Sequence, residues 1–130
     1  MLADTTFIID IMKQDAGAVQ KAKDLSDASI SLLVGTPTIF ELYVGVGLSV
    51  RAGEEKEKVL NVLKSIPHLP LDAASASKGG MIYAQLSREG TKIDPEDAML
   101  AGIAVQNHEP LLTRNRKHFA GIPDLNLEYY

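Results

Sequence analysis

Residues 29–50 read SISLLVGTPTIFELYVGVGLSV, and this stretch decides the fold. Ser29–Val34 is short and apolar, the pattern of a strand buried on both faces. Gly35-Thr36-Pro37 then turns the chain. Thr36 is placed to cap a helix, and Pro37 falls at its first position, where a missing N–H and a fixed φ suit the helix start. The helix runs to about Val50. A buried strand followed at once by a helix is half of a βαβ unit.

The alternation continues on both sides. Upstream, Met1–Ala3 reads as a first strand, followed by Asp4, the apolar stretch Phe7–Met12 and a helix over Asp15–Ala28. Downstream, Gly53–Ser65 is a helix with an apolar face of Val59, Leu60, Val62 and Leu63, and Glu54–Lys58 is a supporting i,i+4 pair. Pro67–Leu71 is extended. Asp72–Glu89 reads as a helix despite Gly79-Gly80, and Gly90 ends it. Asp94-Pro95-Glu96-Asp97 is the sharpest helix start, with a cap, a Pro at the first position and acids in the first turn of Ala98–Gln106. Pro110–Thr113 is another strand; Phe119 and Leu125–Tyr129 form the last. The expectation is a single domain over residues 1–130: an α/β, three-layer α/β/α fold around a short parallel sheet of four or five strands.

Composition narrows the function classes. The 130 residues carry a net charge of −4, which argues against a passive nucleic-acid binder with a basic face. A site that holds divalent cations must instead be locally acidic. There is no cysteine, so disulfide and thiolate chemistry are excluded. No apolar run reaches the roughly 20 residues that span a bilayer, and the N-terminus reads as a strand rather than a secretory signal. A cytoplasmic protein without membrane contact is expected.

Acids stand beside apolar elements at several points. Asp4 follows the first strand, at the sheet edge where open parallel sheets bind ligands; capping the next helix is the alternative reading. Glu41 lies among Ile39, Phe40, Leu42, Val44 and Val46, where a buried carboxylate needs a partner; simple exposure is the alternative. Asp97 opens an apolar helix, where it either binds a ligand or only stabilises the helix dipole. Asp94 is assigned mainly to capping, with a metal role as the alternative. Asn115 follows the Pro110–Thr113 strand and offers a neutral oxygen, or else serves the turn. Three carboxylates and an amide suit a hard cation such as Mg²⁺ or Mn²⁺.

The ordered set Asp4-Thr5-Thr6-Phe7-Ile8-Ile9-Asp10, Thr36…Glu41-Leu42, Gly90…Ile93…Asp97-Ala98-Met99-Leu100-Ala101 and Leu112-Thr113-Arg114-Asn115…His118-Phe119 resembles the motifs of PIN domains, most closely those of VapC toxins from prokaryotic VapBC pairs. The resemblance covers essentially the whole chain. It implies a Mg²⁺- or Mn²⁺-dependent ribonuclease, with Asp4, Glu41 and Asp97 as metal ligands and Asn115 at a fourth catalytic position. It also implies a homodimer and a cognate antitoxin. Thr113, Thr5 and Asp94 are candidates for the outer shell. Arg114 and Arg116, with Lys117 and His118, are candidates for attracting the RNA backbone, a solvated loop being the alternative. Leu42, Tyr43, Val46 and Leu48 supply apolar material for pairing. Arg51, Lys56 and Lys58 read as mixed-charge surface.

Three other readings compete with this one. A haloacid-dehalogenase-type phosphatase wants a second Asp where Thr6 stands. A receiver domain wants a phosphorylatable Asp after a middle strand, where Gly35 and Thr36 stand. An inactive PIN-like scaffold, or a PIN nuclease of RNA processing, differs from the toxin reading only in role.

Overall fold

The computed structural model describes all 130 residues. Five short strands, β1 (Leu2–Ala3), β2 (Leu33–Gly35), β3 (His68–Leu69), β4 (Leu111–Leu112) and β5 (Leu127–Glu128), form one sheet in the order β3-β2-β1-β4-β5. Every neighbouring pair is parallel. Seven helices connect and flank them: α1 (Thr5–Met12), α2 (Ala16–Asp27), α3 (Thr36–Leu48), α4 (Ala52–Leu63), α5 (Ala73–Arg88), α6 (Pro95–Gln106) and the single turn α7 (Arg116–Phe119).

Alternation along the strands builds the two cores. Ala3, Val34 and Leu112 face one side and pack with Phe7, Ile8, Leu25, Leu42, Val46, Val59 and Leu63 from α1–α4. Leu2 and Leu111 face the other side and pack with Ile82, Leu86, Ala101, Ile103, Ala104 and Phe119 from α5–α7. Both faces of the sheet are therefore covered, which is why its central strands β1 and β4 are wholly apolar and buried. The expected three-layer α/β/α architecture is what forms.

Several local expectations change. Of the Ser29–Val34 run only Leu33 and Val34 pair as a strand, and Gly35 extends it. Ser29 sits at φ 57° and the Ile30 N–H returns to the Leu25 carbonyl, so this stretch closes the preceding helix. Gly35, not Thr36, holds the cap position of α3. The Thr36 hydroxyl instead accepts from the Leu71 N–H at 2.9 Å and ties the chain after β3 to that after β2. Lys58 pairs with Glu55 at 3.2 Å rather than with Glu54. Residues 116–119 form a helical turn, with Phe119 buried. Leu42 and Val46 are buried in the chain's own core and so are unavailable for pairing, whereas Tyr43 and Leu48 are exposed.

The glycines flagged within the fifth helix divide in role. A Cβ on Gly79 would stand 2.8 Å from the Ala98 carbonyl oxygen, and one on Gly102 would stand 2.4 Å from that of Ser75. These two glycines let α5 and α6 touch backbone to backbone, at a separation no side chain would permit. Gly80 faces open space.

Candidate active site

The chain leaves β1 for β2 and β3 on one side of the sheet, then returns to place β4 and β5 on the other. The point where the order reverses lies between β1 and β4, and crevices at such points face the C-terminal ends of the strands. The Asp4 N–H donates to the Leu112 carbonyl at 3.0 Å, so Asp4 and Thr113 emerge side by side there.

Asp4 is buried and fully engaged. Its Oδ1 accepts from the Phe7 N–H at 2.8 Å and its Oδ2 from the Thr113 hydroxyl at 2.5 Å. Asp4 caps α1, the alternative reading of this residue, and also stands at the switch point. Burial raises its pKa above the ordinary value of 3.8, against the two hydrogen bonds. Thr113 in turn accepts from the Asn115 N–H at 2.9 Å, and the Asn115 amide donates to Thr6 at 3.1 Å. One short turn after β4 is thus locked to the start of α1.

Glu41 lies on the second turn of α3 and is half-buried. Thr5 donates to its Oε1 at 2.8 Å and also meets the buried Thr38 hydroxyl at 3.1 Å. Burial raises the Glu41 pKa, and Glu96, Asp4 and Asp94 raise it further by repulsion. Asp97, in the first turn of α6, is pushed up to about 6, first by burial and then by repulsion from Glu41, Asp94 and Asp4. Its one partner is the His118 imidazole, with Nδ1 3.2 Å from Oδ2, which favours ionisation. Repulsion from Asp4 reaches both Glu41 and Asp97, although the three lie far apart in sequence.

Asp94 occupies the cap position of α6, but its side chain makes no capping hydrogen bond. The capping expectation is corrected: the carboxylate is exposed and adds to the acidic field. The two arginines are also reassigned. Arg114 is clamped by Asp10 at 3.2 Å and Asp15 at 3.0 Å, with its guanidinium 4.7 Å from the Tyr130 ring. Tyr130 donates to Asp10 at 2.7 Å. Arg116 lies over Tyr129 at 3.9 Å. Thr38, Thr6, Asp10 and Tyr130 are supporting residues that sequence reasoning left without a role. Thr and Tyr in such positions carry no spacing signal, because their partners lie 33 to 120 residues away.

The donor set suits a hard divalent cation. Every candidate ligand atom is oxygen, and Asp97 is a half-buried carboxylate that no hydrogen-bond donor satisfies apart from the imidazole edge. No three acidic or histidine side chains form a ready-made cage.

Comparison with known proteins places the chain. Residues 1–125 match the PIN domain. The chain belongs to the PIN-domain family. Within this family it is 28% identical to "Ribonuclease VapC1" of Methanocaldococcus jannaschii, across the whole of this chain and 86% of that protein. It is 27% identical to the "tRNA(fMet)-specific endonuclease VapC" of Shigella flexneri, across 98% of this chain and 95% of that one. Its fold matches a chain in the crystal structure of VapBC2 from Rickettsia felis bound to a promoter DNA fragment (TM-score 0.91, 22% identity, 99% and 97% covered). It also matches a chain of DNA-bound VapBC from Salmonella typhimurium (TM-score 0.87, 26% identity, 98% and 96% covered). The PIN fold thus agrees with the sheet order and layers described above. No helix is long and apolar enough to cross a membrane.

Proposed function

We propose that this PIN domain is a Mg²⁺- or Mn²⁺-dependent ribonuclease and the toxin of a toxin–antitoxin pair, with Asp4, Glu41 and Asp97 as its metal ligands. The observation that carries the reading is the buried Asp4 at the sheet's switch point, sharing one electrostatic field with Glu41 and Asp97. Asp4 raises the pKa of both Glu41 and Asp97, and Glu41 raises that of Asp97, a field poorly explained by stability alone. Relatives named as ribonucleases and as a tRNA endonuclease supply the substrate class, and fold neighbours solved as VapBC complexes supply the antitoxin partner.

A bound divalent cation would polarise the phosphodiester and lower the pKa of an attacking water. The chain's own residues set the stage. Phe7 N–H and the Thr113 hydroxyl fix Asp4 in one orientation, and Thr5 fixes Glu41. Asn115, held by Thr6 and Thr113, aims a polar side chain at the same edge. An antitoxin would cover the acidic pocket, an arginine fork being the natural partner for clustered carboxylates. The exposed Tyr43 and Leu48 of α3, with Phe40 and Val44, remain as apolar surface for pairing two copies.

The test is incubation of purified protein with single-stranded RNA in Mg²⁺ or Mn²⁺, with and without chelator. Cleavage that needs the ion and disappears in Glu41→Gln supports the reading. Intact RNA under all conditions would leave the scaffold alternative in its place.

A further inference from the structure

The basic loop after β4 splits into two halves that do different things. Arg114 and Arg116 are occupied within the fold by acids and tyrosine rings. Lys117 and His118 instead line a cleft of about 190 Å³ whose other walls are Lys92, Ile93, Asp94 and Asp97. Lys92 comes from the segment before α6 and Lys117 from α7, so two distant parts of the chain bring cations to one place. Both lysines are exposed, and neither is taken up by an ion pair.

The size and position of the cleft are informative. Small-molecule pockets run to roughly 300–1,000 Å³, so this volume suits an anionic group with its water rather than a whole nucleotide. The cleft opens on Asp97, one of the three carboxylates of the catalytic reading. A strand of RNA approaching that carboxylate meets repulsion from Asp94 and Asp97, in a protein of net charge −4. Cations must stand locally wherever the strand is to rest. Lys92 and Lys117 are unpaired cations beside Asp97, and His118 already has a partner in that carboxylate.

We propose that this cleft seats a backbone phosphate next to the one that is cut, held between Lys92 and Lys117, which makes both lysines substrate-positioning residues. The inference rests on the ribonuclease reading and goes beyond it by assigning residues to the strand. It predicts uniform weakening across RNA sequences, because phosphate contacts position without reading bases.

The experiment compares wild type with Lys92→Gln, Lys117→Gln, the double variant, the two Lys→Arg versions and Lys56→Gln as a control on α4. Cleavage of a short fluorogenic single-stranded RNA is followed with Mg²⁺ between roughly 50 and 200 mM salt. Each Lys→Gln should raise KM about threefold to tenfold with kcat within about twofold. The slope of log(kcat/KM) against log salt should become shallower by about 0.7 per lysine. Arginine should restore both, and Lys56→Gln should change neither. Anisotropy of the same RNA on a Glu41→Gln background should show the same weakening. An unchanged KM and salt slope in the double variant overturns the proposal, as does a fall in kcat with KM unmoved. A wild type that cleaves no RNA overturns the ribonuclease reading instead. The anisotropy arm then still decides the cleft, because RNA binding that ignores both lysines overturns it.

Discussion

Asp97→Asn separates a ligand from a helix-terminus charge by the sign of its effect on stability. Moving a carboxyl from 3.8 to about 6 disfavours its ionised form in the fold by about 3 kcal/mol. The shift is upward, so the folded chain binds this proton more tightly than the unfolded chain does. The group is neutral to stability below about pH 4, costs progressively more as pH rises from 4 to 6, and carries its full penalty above that. Asn keeps the shape and removes the charge, so the metal-free variant should be more stable than wild type at pH 8. Because the shift is shared with Glu41, Asp94 and Asp4, about 1–3 kcal/mol is expected, or roughly 3–10 °C in melting temperature. The advantage should shrink towards zero at pH 4. Added Mg²⁺ should raise the melting temperature of wild type through binding linkage and that of the variant much less. Thermal melts in chelator at the two pH values, repeated with metal, are the assay. A helix-terminus role alone predicts that the variant loses about 0.3–1 kcal/mol at pH 8 and still cleaves RNA; that pair of results would refute the metal-site reasoning at Asp97.

Asp4→Ala should have the opposite sign. It removes the α1 cap and strands the Thr113 hydroxyl, and only part of this is offset by losing a buried charge, so urea melts should show a loss of about 1–3 kcal/mol. Arg114→Gln should free the turn that carries Thr113 and Asn115. It is expected to lower stability only slightly, because the pair is solvent-screened, and to cut cleavage about tenfold, which a rate measurement at saturating RNA would check. Gly102→Ala should destabilise by about 2–3 kcal/mol or more, since its Cβ would meet backbone atoms that cannot give way. Gly80→Ala should stabilise by about 0.5–1 kcal/mol through helix propensity, and denaturant midpoints of the two variants would read the contrast directly.

The alternation of elements was legible in the sequence because buried parallel strands are continuous apolar runs and helix starts carry their own chemistry. Asp15 and Asp72 cap their helices as their positions suggest. Strand edges were less legible: residues 29–32 are as apolar as a strand, yet the positive φ at Ser29 ends a helix there, and φ leaves no apolar pattern. The acids of the proposed site stood out because each interrupts or abuts an apolar run. Most of their supports did not, because Thr6, Thr38 and Tyr130 gain meaning only from partners brought close by the sheet. The partners of the loop after β4 were not legible either, since sequence does not show that Asp10, Asp15 and two tyrosines meet its arginines.

The contact between Asp4 and Thr113 spans 109 positions of chain. A chain leaves the ribosome N-terminus first, so Asp4 is made almost first and its partner almost last. Until β4 slides in beside β1, the carboxylate at the switch point has no hydroxyl to orient it, and β1 is an unprotected edge. On the proposed reading, the setting of this carboxylate is completed only in one late step of synthesis. The same ordering gives any partner synthesised alongside it a window in which to be ready.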